Sequence, residues 1–220
     1  MNEKNESYPF YIKNCALAAI ATGEKAGSLI ELRDKLLVTH TGCIYYHFWG
    51  SRMHSEFVYP EYHNDFASWA FHHLHDLTLA ERLSVIDPTD YNHLEQLREK
   101  LLDVIEERID ETAMVHWTTK EQFFHFIRSK IIVFETPYQI ISPQDLPKML
   151  SHMTPSSIYY HFIDARGRTA QGVDDFSLWL SSYNAGYEEL VNRIRMIDPY
   201  FLTLSEIRRK FSKTIEDYFK

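Results

Sequence analysis

Cysteine is scarce in this chain. Its 220 residues hold only Cys15 and Cys43, and no Cys-x-x-Cys pair occurs. That argues against a disulfide framework or a thiolate zinc site, and it fits a reducing compartment. Glycine is scarce as well: seven residues do not supply the turns of an all-β fold. No run of Lys and Arg is present and the formal net charge is -8, so the basic footprint of a nucleic-acid binder is missing. No apolar stretch approaches the length of a membrane span, and Met1–Ser7 is polar, without a signal-peptide core. A cytoplasmic protein without nucleic-acid or membrane partners is expected. The Gly-rich phosphate loop, the Gly-x-Ser-x-Gly elbow, the His-Glu-x-x-His pair and the calcium-binding loop are all absent. His93 and Ser205 find no triad partners nearby. No cofactor is expected.

What the chain has is the same statement made twice. Ile44-Tyr45-Tyr46-His47-Phe48 returns as Ile158-Tyr159-Tyr160-His161-Phe162. The neighbours return in order: Leu32 and Leu36 as Leu146 and Leu150, Arg52 as Arg166, Asp65-Phe66 and Trp69 as Asp175-Phe176 and Trp179, and Ile86-Asp87-Pro88 as Ile197-Asp198-Pro199. The closing stretch with Leu94, Arg98, Ile105 and Glu106 returns with Leu204, Arg208, Ile215 and Glu216. The cysteines have no counterparts: Cys15 stands opposite Ser129 and Cys43 opposite Ser157. We expect a frayed N-terminus over residues 1–9, repeat one over 10–114 and repeat two over 115–220. A short unit alone is marginal, so the two should pack as a single compact domain about a pseudo-twofold axis. Residues 10–109 and 124–216 should then superpose, with Trp69 over Trp179 and His47 over His161.

The periodicities predict a mainly α fold. Leu94, Leu97, Leu101, Val104, Ile105 and Ile109 draw one helical stripe. Ser28 with Glu31, and Thr203 with Glu206, read as capping boxes; Ser142-Pro143 reads as an N-cap followed by proline at the first helical position. Asn64 and Asp174 read as N-caps of helices carrying the two tryptophans. Helices through Leu79–Val85 and Tyr187–Met196 should stop before Asp87-Pro88 and Asp198-Pro199. Residues 10–22 and 123–136 are ambiguous between helix and strand. Thr118-Thr119-Lys120-Glu121 resembles a capping box, whereas Lys130 to Phe134 is rich in β-branched residues. Strands at Ala16–Thr22 and Ile131–Thr136, paired in a small antiparallel sheet, would make the fold α+β.

With Ile-Tyr-Tyr-His-Phe, Asn-Asp-Phe-Ala-x-Trp and Ile-Asp-Pro in that order, the chain resembles a family of bacterial and archaeal proteins of unassigned function. The resemblance spans nearly the whole chain and implies no activity.

The candidate ligand-binding residues are the duplicated ones: Tyr45, His47, Arg52 and Asp65, with Tyr159, His161, Arg166 and Asp175. Imidazole and carboxylate suit acid–base chemistry or a metal, for which His47, Asp65, His161 and Asp175 form the candidate set. The competing reading is structural, with each histidine a buried group paired to a carboxylate or a carbonyl. The arginines would meet Asp65 and Asp175 or an anionic ligand. The tyrosines could line a cleft or fill the core. His72-His73-Leu74-His75 has no counterpart in repeat two and reads as an exposed face, since only His72 and His75 share a helical side. The leading expectation is a non-enzymatic module binding a ligand or protein, with a groove between the repeats. The alternatives are a metal-assisted or acid–base enzyme using the duplicated set, and a structural homo-oligomer, of which a homodimer is the simplest form.

Overall fold

The computed structural model describes residues 8–53, 61–111, 122–183 and 186–220. Among them the chain is mainly helical with one two-stranded sheet, β1 (Phe10–Ala26) beside β2 (Phe124–Ile140). Thr22 Oγ1 donates to the Phe126 carbonyl at 2.7 Å, and Lys13 Nζ meets Glu135 at 3.0 Å. Residue numbers rise along one strand as they fall along the other, so the strands are antiparallel. Each strand runs 17 residues, well past the expected spans. The apolar runs mark only the strand middles. The first residues of each strand mix polar with buried apolar side chains, among them Phe10, Ile12, Phe124 and Phe126, and show no continuous apolar run, while the ladder's backbone bonds do not depend on side-chain polarity.

The chain divides into two compact units, and the division cuts both strands in the middle. One unit is Leu17–Lys130. It holds the second part of β1, the first part of β2, and between them α1 (Leu29–Val38), α2 (Thr41–Trp49), α3 (Asp65–His72), α4 (Leu77–Ser84) and α5 (Leu94–Glu111). Ser28 caps α1, its hydroxyl accepting from the Glu31 N–H at 3.2 Å, while the Glu31 carboxylate accepts from Gly27 N–H. Asn64 caps α3 through the Ala67 N–H and also donates to the Leu83 carbonyl, tying α3 to the end of α4. The α5 stripe buries Leu97, Leu101, Val104 and Ile105, each contributing on the order of 2 kcal/mol of burial. Arg98, on the same helix, is buried and donates to the Leu36 and Thr39 carbonyls. It thereby satisfies acceptors that the last turn of α1 leaves open. We expect Arg98→Met to cost about 2 kcal/mol in urea denaturation, because the methionine fills the space and leaves those carbonyls unpaired.

The other unit runs up to Ala16 and resumes at Ile131–Lys220. After β2 come a 3-10 turn at Pro143–Asp145, α6 (Leu146–Met149), α7 (Pro155–Ile158), a π-helical stretch over Tyr159–Asp164, α8 (Ala165–Arg168), α9 (Asp175–Ser181), α10 (Glu188–Arg195) and α11 (Leu204–Tyr218). Thr203 and Glu206 form the reciprocal capping box at the start of α11. Ser142 makes no side-chain cap, and the single helix expected there is instead a 3-10 turn leading into the four residues of α6, with Pro147 at its start. The segment containing Thr118-Thr119-Lys120-Glu121 lies outside the described residues.

The halves of the strands explain the unit boundaries. Residues 10–16 fall within repeat one as expected from sequence, yet they complete the unit built from the second set of helices. Phe10 stacks on Phe176 at 4.8 Å between ring centroids and tilts against Trp179 at 5.5 Å. Trp179 Nε1 donates to the Tyr8 carbonyl at 2.9 Å. In the first unit Phe124 takes the same place: it stacks on Phe66 at 5.0 Å and meets Trp69 at 5.7 Å, and Trp69 Nε1 donates to the Gln122 carbonyl at 2.8 Å. Each aromatic core is thus closed by a strand segment distant in sequence. Trp179→Phe keeps the ring contact and loses the indole N–H, so a loss of about 1 kcal/mol by thermal melting is expected.

Candidate functional site

His47 sits on α2 and His161 in the π-helical stretch; both are 3% exposed. His47 Nδ1 lies 2.8 Å from Asp65 Oδ2, and its Nε2 accepts the Ile127 backbone N–H at 3.2 Å. His161 Nδ1 lies 2.8 Å from Asp175 Oδ2, and its Nε2 accepts the Lys13 backbone N–H at 2.8 Å. The acceptor role at Nε2 fixes the tautomer. A backbone N–H can only donate, so Nε2 carries no proton and Nδ1–H donates to the carboxylate. Both nitrogens of each ring are occupied. The strand N–H groups gain as well: in a two-stranded sheet those pointing away from the other strand need an acceptor, and here the imidazoles supply it.

The electrostatics of the second site agree with a neutral ring beside a charged carboxylate. Burial drives the His161 pKa below its ordinary value, outweighing the Asp175 carboxylate that raises it. Burial pushes Asp175 up, but the hydrogen bonds from His161 and Arg168 and the Arg168 charge bring it below the usual carboxylate range. The N-cap Asp174 goes the other way: buried, it is raised by desolvation, against hydrogen bonds from Ser177 and the charge of Arg166. The signs give a pH prediction. A histidine with a depressed folded pKa contributes stability that is present above the unfolded value near 6.5 and is lost as pH falls toward the folded one. Asp174, with a raised folded pKa, gains stability over falling pH, and wild type and His161→Ala both retain it. The wild-type protein should therefore lose more stability between about pH 7 and pH 5.5 than His161→Ala does, measured as the difference between their urea midpoints at each pH.

The arginines do not take the expected places. Asp175 is bridged by Arg168 at 3.0 Å, not by Arg166. Arg168 also binds Asp164 at 2.7 Å, donates to the Tyr160 carbonyl and lies 4.1 Å over the Tyr160 ring. Arg166 donates from Nε to the Phe162 carbonyl and approaches Asp174 at 3.9 Å. Arg52 lies 5.5 Å over Trp49. Asp65 remains open, its side chain 41% exposed against 19% for Asp175. Tyr159 is fully buried, and Tyr45 is half-buried. The sequence reading missed Arg168 because Arg166 carries the repeat match. The signal for Arg168 was its spacing of four from Asp164, which places the two on one helical side. The backbone donors at Lys13 and Ile127 have no sequence signal.

Other chemistry-bearing groups are scattered. Cys15 is buried, and burial first, then the Asp164 charge, pushes its thiol up to about 12, so it is a thiol and not a nucleophilic thiolate at neutral pH. His72 reaches Glu61 at 3.7 Å. His73 has its pKa lowered by burial and by His72 and His75. Among the described residues no three His, Cys, Asp or Glu side chains gather as a metal site would require, and no helix is long and apolar enough to cross a membrane.

The fold and these histidine pairs define a helix-dominated protein with a small antiparallel sheet. The chain belongs to a family of unknown function, DUF5752, whose model matches residues 7–216. Among solved structures it is similar to OrfY from Thermoproteus tenax: 26% identity, TM-score 0.82, covering 96% of this chain and 95% of that one. No curated protein matches it.

Proposed function

We propose that this protein is a non-enzymatic binding or regulatory module, cytoplasmic, built from a duplicated unit whose two copies pack as one domain. In this reading the His–Asp pairs are fasteners. The observation that carries it is the occupancy of both nitrogens on each duplicated histidine. A general base needs a nitrogen free to take a proton, and a metal ligand needs a lone pair; here every lone pair is spent on a strand N–H. The buried Tyr159, like the histidine rings, serves the core. Of the duplicated set, Asp65, Arg52 and Tyr45 in the first unit and Arg166 and Asp175 in the second reach solvent and are the residues offered to a ligand or partner.

The test is a set of thermal melts of wild type, His47→Ala and His161→Ala, each with and without a chelator. The fastener reading expects a wild type indifferent to chelation and both variants lowered by several degrees. A chelator-sensitive wild type with stable variants would sink it in favour of a metal site. The acidic surface gives a second expectation: no salt-sensitive mobility shift with duplex DNA at physiological salt.

A further inference from the structure

We propose that the first unit, Leu17–Lys130, binds a guanidinium group from outside the chain, held against the Asp65 carboxylate and the Tyr46 ring. This deepens the binding-module reading above and rests on it, since it takes Asp65 as a residue offered to a ligand. The second unit shows what such a group does beside a histidine–carboxylate pair. Arg168 donates to Asp175 Oδ2 at 3.0 Å and to Asp164 at 2.7 Å, and its guanidinium carbon lies 4.1 Å over the Tyr160 ring. The first unit repeats the surroundings. Tyr46 meets His47 edge-on at 5.3 Å and 88°, as Tyr160 meets His161 at 4.9 Å and 77°. His47 holds Asp65 at the same 2.8 Å at which His161 holds Asp175. Both tyrosines are half-buried.

The cation is what differs. The match that sets Arg52 opposite Arg166 sets Gly50 opposite Asp164, and it sets His54, outside the described residues, opposite Arg168. Among the described residues no arginine or lysine meets Asp65; its partner is the neutral His47 ring. The Asp65 side chain is 41% exposed, so a ligand can reach it. It lies close enough to Tyr46 that its charge, after burial, holds the phenol pKa up. A planar guanidinium can lie on a ring face and still point N–H groups edgeways at a carboxylate, whereas an ammonium has no such plane. The formal net charge of -8 draws a cation in. Two sources share this chemistry: a small guanidino compound and an arginine side chain of a partner protein.

Titrating methylguanidinium into the intact, isotope-labelled protein at pH 8 and low salt tests this by nuclear magnetic resonance. An ordinary histidine is neutral at that pH and does not compete as a cation. Backbone signals about Asp65 and ring signals of Tyr46 should shift and saturate, while those about Asp175 stay. Asp65→Asn keeps an acceptor for the His47 N–H and should weaken binding about tenfold. Tyr46→Leu should weaken it several-fold. Arg168→Ala should open the second site, so that the probe then shifts signals about Asp175 as well. A Gly-Arg-Gly peptide that binds more tightly than methylguanidinium assigns the site to a partner's arginine; equal or weaker binding assigns it to a small guanidino compound. A wild type without saturable shifts about Asp65, a response that survives Asp65→Asn, or equal binding of methylammonium overturns the proposal. So does a folded Arg168→Ala protein with no response about Asp175. The module reading fails separately, by a chelator-sensitive wild-type melt.

Discussion

His161→Ala should lower the unfolding free energy by about 3 kcal/mol, among the largest losses for any single polar residue in the chain. Three effects add. The Lys13 N–H loses its acceptor, and among the described residues no other strand lies on that side to replace it. Asp175 loses its ring donor and keeps Arg168. The ring itself leaves a hole between Phe10 and Phe176, whose centroids lie 4.8 and 5.6 Å from it. His47→Ala should cost about 2 kcal/mol, because Asp65 is more exposed and can turn to water, and because the Ile127 bond is longer, 3.2 Å against 2.8 Å. Urea denaturation with matched slopes would measure both. Equal small losses, under about 0.5 kcal/mol, would show that the strand N–H groups find other acceptors and that the histidines do not fasten the fold.

What could be read in advance follows from what is local. The α5 stripe, the caps at Ser28, Asn64, Asp174 and Thr203, and the helix ends before Asp87-Pro88 and Asp198-Pro199 depend on residues within one or two turns. Those emerge where expected. The matched positions could be paired by eye, and both histidines carry the same two bonds. What was not legible depends on distant chain. Residues 10–15 form strand because they lie against helices some 150 positions later, and their own side chains show no clean period. The identical pentapeptide is α-helical at Ile44–Phe48 but leads into a π-helical stretch from Tyr159. The letters that differ lie beyond it: Gly50 in one copy, and in the other Asp164, which Arg168 holds. Asp76 carries no local signal of its link to Arg108, because that partner is 32 residues away.

Asp76→Ala should cost about 3 kcal/mol, and Asp76→Asn roughly half as much. Asp76 is buried between α4 and α5, its side chain 3% exposed. One carboxylate oxygen caps α4, accepting from the Leu79 N–H at 3.0 Å. The other accepts from Arg108 Nε of α5 at 2.9 Å. Alanine removes the cap, worth about 1 kcal/mol, and takes one carboxylate from a mostly buried guanidinium that also meets the partly exposed Glu111. Asparagine keeps an oxygen for the Leu79 N–H and loses the charge. The two substitutions therefore separate capping from ion pairing. Adding Arg108→Met to Asp76→Ala removes the charge that Asp76 faced, so the double variant should be less destabilised than the sum of the singles, with a coupling of about 1–2 kcal/mol in a denaturation cycle. Additive losses would mean that Arg108 is satisfied by Glu111 and solvent, and that the link from α4 to α5 rests on apolar packing alone.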